Sequence, residues 1–269
     1  MDQEEYFSNE KKAEEAPEAR AAGEPAGVPM KLGYGAGAIA DYPWHLDGSS
    51  PWLVSNSISV LEILQNLKSI GVCVVDTAHR YGGGISEAMV GIARACGVLN
   101  GVEIMTKIDA SDVTSEMERA FQTSCVRLGG APDSVLLHNP DLSKRFKISI
   151  AIDWLKSKNL KSIGISTEPS RDAIYIAKQY GLDVIQFPYS LWDRRAEDEI
   201  FPFIGDDMRT VANRVLGGPA KVKNMATVTE ALDFLVKTRA RIDVALIGTG
   251  NFYHLTKCVE AFNELRASS

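Results

Sequence analysis

A (β/α)8 barrel is the fold this sequence predicts, and three observations carry the prediction. Short runs rich in Val and Ile recur eight times after residue 28, segments of helical period lie between them, and the runs are apolar without alternation. Continuous apolar strands are buried on both faces, which is the condition of a parallel sheet covered by helices. Eight strand–helix units in roughly 240 residues fit one closed barrel, a fold that reaches such lengths as a single domain. An open doubly wound sheet is the alternative, weakened because no G-x-G-x-x-G opens a helix. Gly33-Tyr34-Gly35-Ala36-Gly37 alternates glycines, but no helical pattern follows it directly, so it reads as a strand end needing close approach.

The elements follow in order. Residues 1–27 are rich in Glu, Ala, Gly and Pro and hold too little apolar surface to offset the entropy of ordering, so a disordered acidic tail is expected. Residues 28–269 form the barrel, with strands expected at 31–36, 72–76, 102–107, 134–138, 162–166, 184–187, 209–215 and 244–248. Helical spacing shows at Leu61, Leu64 and Leu67, at Ile150, Trp154 and Leu155, and across 255–265 after the last strand. Thr227 and Glu230 read as a capping box opening the seventh helix, and Gly181 as the end of the fifth. The longest loop, 38–57, follows the first strand and carries Trp44, His45 and Trp52.

Charge and cysteine content narrow the function classes. Of the net −6, residues 1–27 supply −5 through eight acids and three bases, leaving the remaining chain near neutral with 27 acids and 26 bases. A near-neutral folded part gives no basis for binding nucleic acid or a membrane surface. Cys73, Cys96, Cys125 and Cys258 are widely spaced without a C-x-x-C pair, so neither a metal site nor a disulfide framework is expected. An acidic N-terminus without an apolar core is unlike a secretory signal, and no apolar run is long enough to span a bilayer. A reducing cytoplasm is the expected location.

In a barrel, polar residues at C-terminal strand ends converge on one mouth. Asp76 ends the second strand with Tyr81 five residues on, Lys107 the third, His138 the fourth and Ser166 the fifth; Gln186 lies on the sixth, and Gly248-Thr249-Gly250 ends the eighth. Each has a plain structural use: Asp76 as a turn cap, Tyr81 and His138 as satisfied core residues. Lys107 is harder to place so, because a Lys within V-E-I-M-T-K-I-D faces burial of its charge unless a carboxylate pairs with it.

The segments DTAHRYGGGISE, IMTKID, VRLGGAPDSVLLHNPD, KSIGIS, VIQFPYSLWDRR and LIGTGNFYHL, spread from about residue 31 to 267, resemble those of the aldo-keto reductases in order and in position at the strand ends. That resemblance implies a (β/α)8 barrel that reduces aldehydes and ketones with NADPH, or with NADH, and uses no metal. It implies Tyr81 as general acid, Lys107 and Asp76 tuning it, and His138 orienting the carbonyl. Hydride delivered to a carbonyl carbon leaves negative charge on oxygen, which needs a proton donor and a positive field. A free phenol with a pKa of about 10 is a weak acid, and a nearby ammonium favours its phenolate. Ser166 and Gln186 would meet the nicotinamide carboxamide, and Gly248, Thr249, Gly250 and Asn251 the adenosine phosphate end.

The pattern is broken on the cofactor side. Thr167 replaces the family's Asn after Ser166, and Asn213-Arg214 stands where many members stack an aromatic ring, Arg214 being placed to meet pyrophosphate instead. The segment 218–242 holds a single helix, and His254 and Cys258 lie near positions where the family carries basic residues and an Asn. Trp44, Trp52 and Trp192 in mouth loops suit an apolar or ring-shaped substrate, or else pack the loops on the barrel. Two readings result: a reductase of a small-molecule carbonyl, or a barrel with a degraded cofactor site that serves as a binding or regulatory protein. Oligomeric state is not legible.

Overall fold

Eight strands pair in chain order into a closed parallel barrel: β1 (Lys31–Gly35), β2 (Val74–Asp76), β3 (Glu103–Ile108), β4 (Ser134–His138), β5 (Ser162–Ser166), β6 (Val184–Pro188), β7 (Arg209–Asn213) and β8 (Val244–Ile247). The last closes on the first from Lys31↔Val244 to Tyr34↔Ile247. Their bounds agree with the expected ones to within two residues. The computed structural model describes residues 30–39, 57–218, 221–222, 224–238 and 241–268. The expected tail at 1–27, most of the long loop after β1, and Trp44, His45 and Trp52 lie outside the described residues.

Each strand is followed by a helix: α1 (Ser57–Asn66), α2 (Ile85–Ala95), α3 (Thr114–Arg127), α4 (Arg145–Lys156), α5 (Arg171–Gln179), the single turn α6 (Ala196–Glu199), α7 (Met225–Lys237) and α8 (Phe252–Ala267). Gly181 takes φ +58 just past α5, where the Gly181 and Leu182 amides return to Lys178 and Ala177 carbonyls. The capping-box expectation is corrected. The helix starts earlier, at Met225, because Asn224 caps it by accepting from the Thr227 amide; Thr227 is already inside the first turn.

Side chains alternate along a strand, so inward positions recur at every second residue. Three inward layers result. At the bottom, Glu103 accepts from Ser134 (2.8 Å) and from Arg209 (2.9 and 2.7 Å), and Ser134 lies 2.6 Å from Ser162. Two residues further along each strand lies an apolar plug of Val74, Met105, Leu136, Val184, Val211, Val244 and Leu246. Gly164 completes it, since a Cβ there would sit 2.1 Å from the Val184 carbonyl and 2.7 Å from Leu136 Cδ2. The opposite strand faces, among them Val75, Val135, Leu137, Ile165 and Ile185, pack outward under the helices. A further step of two along the strands reaches the mouth, where the inward residues are Asp76, Lys107, His138, Ser166, Gln186 and Asn213, with Gly35 and Gly248 between. The plug keeps this polar layer off solvent from below. No helix among the described residues is long and apolar enough to cross a membrane.

Candidate active site

Beyond β2 the chain turns sharply to deliver Tyr81. A 3-10 turn at Tyr81–Gly84 is followed directly by α2, and Gly82, Gly83 and Gly84 all take positive φ (57°, 63° and 101°), which glycine alone adopts without strain in succession. Arg127 on α3 clasps the turn, donating to the carbonyls of His79 (3.1 Å) and Gly83 (3.0 Å), one on each side of Tyr81. Its charge is met by Glu87, fully buried at 3.3 Å, which also accepts from Thr106 Oγ1 at 2.7 Å. A Cβ on Gly84 would lie 2.1 Å from the Arg127 guanidinium carbon. Gly84→Ala is therefore expected to cost about 1–3 kcal/mol through strain and displacement of this clasp. Because the clasp holds the phenol, kcat should fall as well; calorimetric Tm and steady-state kinetics check this, and full turnover in the destabilised variant would show that the clasp does not position Tyr81.

The mouth is wired together by one buried network. Lys107 Nζ donates to Asp76 Oδ2 (2.6 Å) and to the Thr77 carbonyl (2.9 Å), and it lies 5.1 Å from the centroid of the Tyr81 ring. Lys107 is 1% exposed and Asp76 4%. Burial works against the ammonium most strongly, but the Asp76 carboxylate and then the Tyr81 oxygen outweigh it, so the Lys107 pKa is pushed up and the charge is kept. Gln186 Nε2 donates to the other Asp76 oxygen at 2.9 Å, while Gln186 Oε1 accepts from Ser166 (2.8 Å) and Asn213 (3.4 Å). Five strands thus meet in this network, three of them directly through Asp76.

His138 stands edge-on to Tyr81 with ring centroids 5.8 Å apart. Burial, with help from the Lys107 charge, lowers its pKa to about 4, so the imidazole is neutral at physiological pH. A folded-state pKa below the ordinary value of about 6.5 means the unfolded chain takes up the proton first, and stability present above pH 6.5 is lost as pH falls toward 4. At 1.36 kcal/mol per unit this amounts to about 3 kcal/mol. His138→Asn is expected to flatten the fall in Tm between pH 6.5 and 4, and parallel melting curves across that range would refute it.

A cleft of about 240 Å³ opens above the network. Asp76, Tyr81, His138, Ser166, Thr167, Asn213, Arg214 and Gly248 all reach its wall. The other expected cofactor residues do not line it. Gln186 is fully buried beneath the wall. Thr249 is 1% exposed; its carbonyl accepts from Tyr34, and its hydroxyl from the Asn251 amide. Asn251 caps α8 by accepting from the His254 amide. Burial lowers the His254 pKa, so at neutral pH this imidazole does not supply the positive charge of a basic side chain. Arg214, at φ +51, is paired with Glu168 at 3.3 Å, and Glu168 also holds Arg195 at 2.7 Å. Trp192, 36% exposed, lies against Gly217, where a Cβ would come within 2.3 Å of its ring.

Several wall residues escaped sequence reasoning. Glu168 follows Thr167 directly but carries no motif, and Asn139, at φ +45, turns the chain after His138; its only signal was an Asn before Pro140. The fit to a nicotinamide rests on Asn213. Its Oδ1 is buried and has no hydrogen-bond partner among the described residues, and the nearby Ser166 hydroxyl donates to Gln186 and keeps its lone pairs. Two such acceptors suit the N–H groups of a carboxamide.

The model of the aldo/keto reductase family matches residues 31–268. The chain belongs to that family. Membership makes it an oxidoreductase. An aldo-keto reductase from Bacillus halodurans, solved in its holo form, superposes with a TM-score of 0.69 at 17% identity, over 93% of this chain and 94% of its own. An aldo/keto reductase from Klebsiella pneumoniae in complex with NADP and acetate gives 0.68 at 18% identity, over 92% and 90% of the two chains. Another Klebsiella pneumoniae aldo-keto reductase, in complex with NADPH, gives 0.66 at 19% identity, over 93% and 90%. At such identities the likeness shows the fold; the side chains of this aldo/keto reductase have to speak for its chemistry.

Proposed function

We propose that this aldo/keto reductase reduces the carbonyl of a small aldehyde or ketone with NADPH as donor, through Tyr81 as general acid. The observation that carries the reading is the Tyr81–Lys107–Asp76 contact set, a proton donor beside a fully buried ammonium that its carboxylate keeps charged. The NADP and NADPH complexes of the Klebsiella pneumoniae relatives support the choice of donor. A nicotinamide held by Ser166 and Asn213 would be the source of the hydride for the carbonyl carbon. His138, neutral, hydrogen-bonds and orients the carbonyl oxygen. Tyr81 gives its Oη proton to that oxygen, and the Lys107 ammonium stabilises the charge then left on the phenol oxygen. Asp76 holds Lys107 in place and is itself held by Gln186. Ser166 and Asn213 would hold the carboxamide, and Arg214 the pyrophosphate once it leaves Glu168.

Fluorescence titration with NADPH and NADH separately tests the donor. NADPH is expected to bind below millimolar concentration, and Glu168→Gln, by freeing Arg214, to tighten it by about 3- to 10-fold, the worth of a partly screened ion pair. No binding of either nucleotide at millimolar concentration would sink the reductase reading.

A further inference from the structure

A second cleft, of about 580 Å³, shares Tyr81, His138, Asn139 and Arg214 with the first and extends from them across the loops after β3 and β4. Its charge differs from that of the cofactor cleft. Four cations line it, Arg80, Lys144, Lys147 and Arg214, against two acids, Asp109 and Asp141. The acids are largely spoken for. Asp109 is bridged by Arg80 at 2.6 Å and lies 3.5 Å from His79 Nε2. Asp141 accepts from both the amide (3.1 Å) and the hydroxyl (2.7 Å) of Ser143, and Lys144 stands off at 3.6 Å. Arg214 is turned to Glu168 at 3.3 Å. Lys147 is half-buried, and no ion pair or hydrogen bond engages its ammonium among the described residues. The first turn of α4, which carries it, contains no acid, and the neighbouring Arg145 is paired with Asp172 at 3.0 Å.

A cationic side chain in a cleft wall, with no counter-charge among the described residues, is available to an anionic group of a ligand. Here it faces the same cleft as the proposed proton donor. We propose that the substrate is an acidic carbonyl compound, an aldehyde or ketone whose carboxylate or phosphate is held by Lys147, with Lys144 beside it, while its carbonyl meets Tyr81 and His138. The inference rests on the reading of Tyr81 and His138 as the carbonyl end. Pro140, Ile148 and Ala110 in the same wall leave room for a short apolar body between the two ends. Charge-assisted contacts outweigh neutral ones, so recognition of the anion sets selectivity more than binding of the body does.

The test compares three probes of one shape: 4-carboxybenzaldehyde, 4-formylphenyl phosphate and the neutral methyl 4-formylbenzoate. With NADPH, the full chain is expected to favour at least one anionic probe over the ester by about tenfold or more in kcat/KM, the size of one good charged contact. Which anion wins separates carboxylate from phosphate. In Lys147→Gln the anion-to-ester ratio should fall toward one, and in Lys147→Arg it should be kept; raised salt should weaken the anions alone. A wild-type ratio at or below one, or a ratio that Lys147→Gln leaves untouched, overturns the proposal. Calorimetric titration of the same probes into the chain, alone and with NADP+, gives a readout that does not need turnover. Anion-selective binding lost in Lys147→Gln but without turnover would sink the reductase reading and leave the anion site standing. Turnover of all three probes with no selectivity would do the reverse. No binding of any probe at millimolar concentration and no turnover would overturn both.

Discussion

Tyr81→Phe is expected to lower kcat/KM for aldehyde reduction by about 10²- to 10⁴-fold, the usual weight of a positioned general acid. No neighbour can take over. His138, with its pKa held at about 4, has no imidazolium proton to give at neutral pH. Lys107 gives two of its three donors to Asp76 and the Thr77 carbonyl, and giving up a proton would leave the buried carboxylate without its charge partner. Asp76 is a 4%-exposed carboxylate paired with that ammonium, not an acid. In the proposed mechanism the phenol serves the transition state rather than the cofactor, so nucleotide affinity should stay within a few fold. Steady-state kinetics beside a nucleotide titration check both halves. A variant as fast as the parent means that the proton comes from elsewhere.

Asp76→Leu should have the largest effect on stability. It leaves the ammonium of Lys107, 1% exposed, without the Asp76 counter-charge, and it leaves Gln186 Nε2 only the weak Met105 sulfur as acceptor. Removing one partner of a buried pair costs about 3–5 kcal/mol, or roughly 6–20 °C in Tm for a domain of this size. Replacing both partners is different, since a well-packed apolar pair is often neutral. Asp76→Leu combined with Lys107→Met is therefore expected to regain most of the lost stability while staying inactive. Thermal melts of the two single variants and the double give the coupling directly. Additive losses in the double would show that the pair is not coupled. Recovered activity would show that the buried charge is not needed for turnover.

The strands were legible because their evidence is local. A continuous apolar run marks a strand buried on both faces, and eight such runs spaced by helices leave one closed barrel as the economical solution. The polar residues of the barrel mouth were legible for the same reason. Asp76, His138 and Ser166 each end a strand and Lys107 lies one residue short of its end, and a residue at that end of a parallel barrel is carried to the mouth whatever its partners are. The cofactor side was less legible. Gln186 was expected to reach the nicotinamide, yet it is fully buried, with both amide ends spent on Asp76, Ser166 and Asn213. A residue's position on a strand does not tell which of two neighbours will claim its hydrogen bonds.

By itself, then, the sequence determined the strand count, the order of elements and the residues that close each strand, because periodicity and strand ends are written within a few residues. Only the closed barrel decided how these residues join. The Gln186–Asp76 bond spans 110 positions, the Arg127 clasp on the Tyr81 turn spans more than 40, and the loops after β3 and β4 meet Arg214, just past β7, at the second cleft. Contacts at such separations are set by closure and by competition among packed polar groups. No local pattern along the chain encodes either.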